Sequence, residues 1–303
     1  MQRPGKQLSV RARKQRIVGY AFIIPNLIGF LLFNAYPTAY GLVLSFMRNK
    51  TLREYTFVGL ENFQQMMTDK YVSIALKNNL AFSFTTVPVT ILLALLCSVL
   101  VYNLGKKGNL FRNALFLPYI TASIAVATVW KIMFLPDKGL INIVLHSFGV
   151  NNTPRWLMST KTALLSVGIV SVWQRLGYTM LFILVGLQGV PKELYEVGDL
   201  EGASGWNRFR YITFPLISPS LFFVLITNMI DSFKVYDLIL QMTEGGPANS
   251  TIVLVYRIYQ EGILRLNTGY SSAIAMLLLG LVLIVTAIQF LFERKWVYYS
   301  DAA

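Results

Sequence analysis

The chain has 303 residues, 55% of them hydrophobic and only 14% charged, against roughly 25% charged residues in an ordinary soluble domain. Runs of about 20 apolar residues, the length that crosses a bilayer's hydrocarbon core, recur along it and exclude a soluble globular fold. The net charge of +13 reads as the lysine and arginine surplus of membrane-flanking loops facing anionic lipid, and not as a nucleic-acid surface.

Residues 1–17 carry Arg3, Lys6, Arg11, Arg13, Lys14 and Arg16 without one acid, which by the positive-inside bias predicts a cytoplasmic tail. Apolar spans follow at 18–43, 78–101, 112–134, 163–187, 215–239 and 271–292, so the expected fold class is an all-α polytopic membrane protein of about six helices. An even number puts both termini on one side, and Lys106, Lys107, Arg112 and the segment 188–214 then fall inside as well. The expected organisation is a tail (1–17), a first helix with an outer loop (18–77), a five-helix core (78–292) and a second inner tail (293–303). The outer loop holds Arg48, Lys50, Arg53, Lys70 and Lys77 against the bias, together with Glu54, Glu61 and Asp69. The first apolar run continues past Phe33 to Phe46, beyond the roughly 7–15 residues of a cleavable signal's core, so it is expected to be a retained span. Pro25 and Pro37 predict a kink in it, since a membrane bundle can satisfy the carbonyls a proline frees.

Several chemistries lack their residues. Cys97 is the only cysteine, and mid-span it is expected to be a small core side chain. Gly105-Lys106-Lys107-Gly108 does not have the spacing of a phosphate-cradling P-loop. His146, the only histidine, has no cluster of ligands or positioned partner around it, so neither a metal site nor a general base is expected. Asn151-Asn152-Thr153 fits a short glycosylation sequon of little weight. No internal repeat stands out, which disfavours carriers built from two related halves.

The fourth and fifth spans carry the informative polar residues. Arg175 lies about 12 residues, roughly 18 Å, from either end of its helix, too far to snorkel to water, so it is expected to face the bundle interior. On the fifth span Asn228, Asp231, Lys234 and Asp237 recur every third residue, predicting one polar stripe with Lys234 placed to pair with either acid. Charges at membrane depth cost roughly 2.5–3.5 kcal/mol each on insertion scales, so they need partners or a function. Two readings stay open: an ion-pair network that holds helices together, or a wet cavity. In the second, Gln174, Asn228 and Asp231 bond hydroxyls of a solute while Trp173, Tyr178, Phe233 or Tyr236 stack on its apolar faces.

Between these spans lies a polar island, Tyr195-Glu196-Val197-Gly198-Asp199-Leu200-Glu201-Gly202-Ala203, followed by Ile212-Thr213-Phe214-Pro215. Pro191 suits a helix start, Glu193 and Glu196 suit its positive end, and Gly198, Gly202 and Gly205 permit turns. A short helix and a flexible corner are expected, either as a solvated connection or as an element whose apolar residues enter a partner's cleft.

The island resembles the cytoplasmic docking loop of ABC-importer permeases, which has a Glu-Ala-Ala start, a glycine and an Ile-x-x-Pro ending. Those positions look like Glu196, Gly202, Ile212 and Pro215; Val197 and Gly198 stand where the alanines usually are, and Glu201 stands for an aspartate. The resemblance runs from about Tyr20 onward and is to the carbohydrate-uptake branch. Phe57-Val58-Gly59-Leu60-Glu61-Asn62-Phe63, Leu117-Pro118, Trp130-Lys131, Pro136-Asp137-Lys138-Gly139-Leu140-Ile141-Asn142 and Thr243-Glu244-Gly245-Gly246-Pro247 share in it. Where relatives often read Trp-x-x-x-Pro-Phe, this chain has Trp173-Gln174-Arg175-Leu176-Gly177-Tyr178, with Gly177 expected to allow a bend.

The resemblance implies a permease subunit in the plasma (inner) membrane that performs no covalent chemistry and holds no cofactor. It would pair with a second, non-identical permease and with two copies of a P-loop ATPase that use ATP and Mg, and receive a carbohydrate from an extracellular binding protein. Glu196, Val197, Gly198, Asp199, Glu201, Gly202, Ala203, Ile212 and Pro215 would then carry the coupling. The alternative is an ion-gradient-driven secondary transporter using Asp231 or Asp237 as its ion site.

Overall fold

The computed structural model describes residues 10–49 and 54–299, with side chains from residue 18 onward. Arg3, Lys6, Lys50, Arg53 and residues 300–303 lie outside the described residues, as do the side chains of Arg11, Arg13, Lys14 and Arg16. The described residues are helical almost throughout, with one small hairpin among them. Its first span is α1 (Val10–Phe30), a wide turn over Leu31–Ala35 and α2 (Tyr36–Leu44). Pro37 sits in the first turn of α2; a proline offers no N–H to the turn before it, and the wider π-type turn absorbs the lost bond. The hairpin pairs β1 (Met47–Asn49) with β2 (Tyr55–Phe57), Met47 opposite Phe57. Buried Asn62 on α3 (Glu61–Thr68) donates to the carbonyls of Ser45 and Met47 at 2.9 and 2.8 Å and pins this corner.

The core is built by α4 (Lys70–Asn103), then α5 (Gly108–Ile120), α6 (Ser123–Met133), α7 (Leu140–Ser147) and α8 (Ala163–Gln188). After the segment between the spans come α9 (Lys192–Leu200), α10 (Gly205–Arg208), a second π-type turn over Phe209–Thr213 and α11 (Phe214–Phe233). The last elements are α12 (Asp237–Met242), α13 (Leu254–Tyr259) and α14 (Thr268–Glu293). Helices α4, α8 and α11 pack side by side through Ala94, Met180, Ile183, Ile217 and Val224, all fully buried. Ser98 on α4 donates to the Met180 carbonyl at 2.9 Å, an interhelical bond of the kind that joins helices in lipid.

Two expected spans differ from a single rod. The third is α5 and α6, bent by 98° at a two-residue break. Thr121 and Ala122 there are extended, and the Thr121 hydroxyl donates to the Leu117 carbonyl at 2.9 Å, a local bond that supports the interruption after Pro118. The fifth span ends at Phe233 and not at 239. The reason is a single buried amide: Asn79 of α4 donates to the Phe233 carbonyl at 3.2 Å and accepts from the Leu254 N–H at 2.7 Å. It satisfies the end of α11 and the start of α13 together. Asp237 therefore opens a new helix, where its charge favours the positive end.

Gly177 is not a bend. It lies inside the continuous α8, where a Cβ would stand 2.0 Å from the Leu115 carbonyl oxygen and 2.6 Å from Phe116 Cα, so it is a contact point that lets α5 and α8 touch backbone to backbone.

At the opposite end of α4 from the 188–214 segment, Arg257 binds Asp69 at 2.9 Å and Glu261 at 2.7 Å, and the Tyr270 hydroxyl donates to Asp69 at 2.7 Å. Burial pushes the Asp69 carboxyl up, but hydrogen bonds from Tyr270, Arg257 and the Tyr71 N–H outweigh it and hold it below the usual carboxylate value. This cluster ties the beginnings of α4 and α14 to α13.

Candidate functional site

Two features collect most of the sequence candidates. The first is a polar cavity of about 260 Å³ lined by Gln174 and Arg175 of α8, Asp231 of α11, Lys234 and Tyr236 of the connection that follows, Asp237 at the start of α12, and Ser123 and Ser171. Arg175 donates to Asp231 at 2.6 Å, the two side chains remaining 26% and 35% accessible. Gln174 donates to the Ser123 hydroxyl at 3.2 Å, so the break between α5 and α6 delivers a polar group to the cavity wall. Irregular backbone at membrane depth is tolerated where it lines such a space.

Lys234 does not pair with either acid as the three-residue spacing predicts. The helix has ended by then, Lys234 caps it, and Asp231 is held by Arg175 instead. Asn228 and Phe233 stand apart from the cavity. Asn228 is 1% exposed, its amide committed to the Thr179 hydroxyl and the Val224 carbonyl, and Phe233 is wholly enclosed in the core with Val87 and Met229. Trp173 faces an apolar groove between α4 and α8 and meets Trp130 edge-on at 5.4 Å. Tyr178 stacks on Tyr119 of α5 at 4.6 Å, and Tyr236 lies 5.5 Å from Tyr259. Ser123 and Ser171 escaped the sequence reading because a lone serine in an apolar run carries no signal; the position of Ser171, three before Gln174, was the available clue.

The second feature is the segment between α8 and α11. Pro191 is the residue before α9, and Glu193 lies in the helix's first turn. The helix closes in a Schellman motif: the Gly202 N–H donates to the Asp199 carbonyl at 3.1 Å and the Ala203 N–H to the Gly198 carbonyl at 2.8 Å. Gly202 takes φ +73°, the left-handed conformation that side chains disfavour, with open space around it. Ser204 then caps α10 by accepting from the Asn207 N–H at 3.3 Å. Gly198 is buried against Ile212 and Arg208, and Asp199 is ion-paired to Arg208, so the two short helices form one folded knuckle. The Tyr195 and Thr213 hydroxyls, 2.9 Å apart, anchor it to the start of α11, where Pro215 occupies the first turn. Glu196 and Glu201 are exposed beside Val197, Leu200 and Trp206, whose large apolar side chains are 52%, 89% and 69% exposed. Among the described residues no group of three His, Cys, Asp or Glu side chains could hold a metal ion.

Residues 91–298 match the family described as binding-protein-dependent transport system inner membrane component. The chain belongs to that family. It is 34% identical to the sn-glycerol-3-phosphate transport system permease protein UgpA of Agrobacterium fabrum, over 94% of this chain and 97% of that one. It is 31% identical to the arabinooligosaccharides transport system permease protein AraP of Halalkalibacterium halodurans, over 95% and 91%. The crystal structure of a bacterial ABC transporter that imports the acidic polysaccharide alginate contains a chain that superposes with TM-score 0.81, covering 93% of this chain and 96% of that one at 20% identity, a likeness of fold. The protein is thus a multi-span transport permease and not an enzyme.

Proposed function

We propose that this permease forms one half of the path of an ATP-driven importer for a sugar, oligosaccharide or related polyol. The observation that carries the reading is the knuckle: a membrane protein presents Val197, Leu200 and Trp206 to solvent on a rigid, acid-flanked turn. Exposed apolar side chains on an otherwise polar element favour a partner that covers them. The partner is a cytoplasmic P-loop ATPase, which places the knuckle and both termini in the cytoplasm. Two copies of it serve this chain and a second, non-identical permease, with ATP and Mg bound in the ATPase alone. Closure of the ATPases on ATP draws the knuckles together and tilts the spans outward-facing. An extracellular binding protein then delivers solute, the segment around Gly245 to Thr251 receiving it, and hydrolysis returns the path inward. The coupling set is Glu196, Val197, Gly198, Asp199, Glu201, Gly202, Ala203, Ile212 and Pro215; the cavity around Arg175 and Asp231 is where solute hydroxyls bind. Relatives named for glycerol phosphate and for arabinooligosaccharides support the substrate class.

Gly202→Asp tests the coupling. Asp tolerates left-handed backbone better than most residues, so the knuckle keeps its shape while a charge enters the docking face. Membrane insertion is expected to be normal and solute uptake to fall at least about tenfold, the effect of losing roughly 1.4 kcal/mol or more at a docking hot spot. Wild-type uptake at normal expression contradicts the assignment.

A further inference from the structure

Below the polar cavity the path changes character. Helices α8 and α11 run antiparallel, so stripes at three- and four-residue spacing on each lie side by side: Arg175, Tyr178 and Phe182 on one, Asp231, Thr227 and Phe223 on the other. The observed contacts follow that pairing, Arg175 meeting Asp231 at the top and Phe182 meeting Phe223 at 4.8 Å lower down. Tyr178 joins the two levels, its ring 4.8 Å from Phe182 and 4.6 Å from Tyr119. Phe182 and Phe223 lie about 10 Å along the helix from the ion pair, on the side of the docking knuckle. These rings are not core: Tyr119 is 37%, Phe182 37% and Phe223 43% exposed.

The charges of the cavity point the same way. Arg175, Lys234, Asp231 and Asp237 all line it, two cations balanced by two anions, and the guanidinium that would grip a phosphate is already held by the Asp231 carboxylate.

We infer that Tyr119, Tyr178, Phe182 and Phe223 form an aromatic track leading inward from the cavity, on which an uncharged, ring-bearing saccharide stacks as it leaves, and that a phosphorylated acyclic polyol is not the substrate. The inference rests on the carbohydrate reading above and narrows it. A pyranose or furanose ring has a flat C–H face that fits an aromatic ring, whereas glycerol phosphate offers a charge and no face.

The test uses the importer purified with its own partner subunits and binding protein, reconstituted with internal ATP. Uptake is measured for a labelled panel of neutral mono-, di- and trisaccharides and for sn-glycerol 3-phosphate. Variants are Phe182→Leu and Phe223→Leu, which keep apolar bulk and remove the ring, and Phe182→Tyr, which keeps the ring. Saccharide uptake by wild type and Phe182→Tyr, with a roughly tenfold fall in both leucine variants at unchanged subunit content, is the expected result. Leucine variants that transport as wild type overturn the track and leave the carbohydrate reading standing, as does a loss shared by Phe182→Tyr. Uptake of glycerol phosphate alone overturns the ring-substrate inference. Wild type that moves no saccharide and no glycerol phosphate overturns the carbohydrate reading and the track with it.

Discussion

Arg257→Ala is expected to destabilise the protein by about 3–5 kcal/mol, the cost of leaving a buried carboxylate without its cation. Arg257 is 4% exposed and Glu261 likewise 4%, and Arg257 is the group that bridges Glu261 to Asp69. With the guanidinium gone, Asp69 keeps only the Tyr270 hydroxyl and the Tyr71 N–H, and Glu261 keeps an exposed Arg265. Denaturation of the purified protein in detergent measures the loss, and a change below about 1 kcal/mol, the range of a surface pair, contradicts the account. Removing all three charges with near-isosteres, Arg257→Met, Asp69→Asn and Glu261→Gln, is expected to recover much of the stability. The same cluster sets an acid limb. Because Asp69 binds its proton more weakly folded than unfolded, its contribution is complete above the ordinary Asp value of about 3.9 and is lost as pH falls through the lowered folded value. Asp69→Asn should flatten that limb.

The second large effect belongs to Gly177→Val. Its Cβ alone falls 2.0 Å from the Leu115 oxygen, and the obstacle is backbone, which cannot rotate away. Relief requires α5 to move off α8, taking Tyr119 from its stack on Tyr178. The expected cost is about 3 kcal/mol or more, at the upper end for overpacking, seen as loss of monodisperse protein on detergent extraction. Gly177→Ala should show a milder form of the same defect. A valine variant with wild-type thermal stability would mean the helices are not in backbone contact.

The helices were legible because hydrocarbon thickness fixes a run length that composition alone reveals. The breaks were harder to read. The bend between Ile120 and Ser123 arises from two extended residues in an apolar run, and the end of α11 is fixed by Asn79, more than 150 positions earlier in the chain. Spacing could not find that cap, and for the same reason the stripe from Asn228 to Asp237 was drawn as one helix face. Arg175 was found because an isolated charge at mid-span must be held by something; which acid held it depended on where α11 stopped. The knuckle's turn at Gly202 was visible as a glycine after a short amphipathic run, whereas the packing of Gly198 on Ile212 needed the fold to bring two segments together. Tyr119, Phe182 and Phe223 were passed over because aromatic residues in apolar spans are ordinarily packing, and only their half-exposure beside the cavity sets them apart.

The most direct test of the central claim is to extract the tagged chain from its native membrane in mild detergent, identify what co-purifies, and reconstitute the preparation for uptake with and without ATP. A second multi-span permease and a P-loop ATPase in the complex, with uptake that requires internal ATP and survives collapse of ion gradients, is the predicted result. A preparation of this chain alone that moves solute without ATP, and stops when the ion gradient is dissipated, would contradict it.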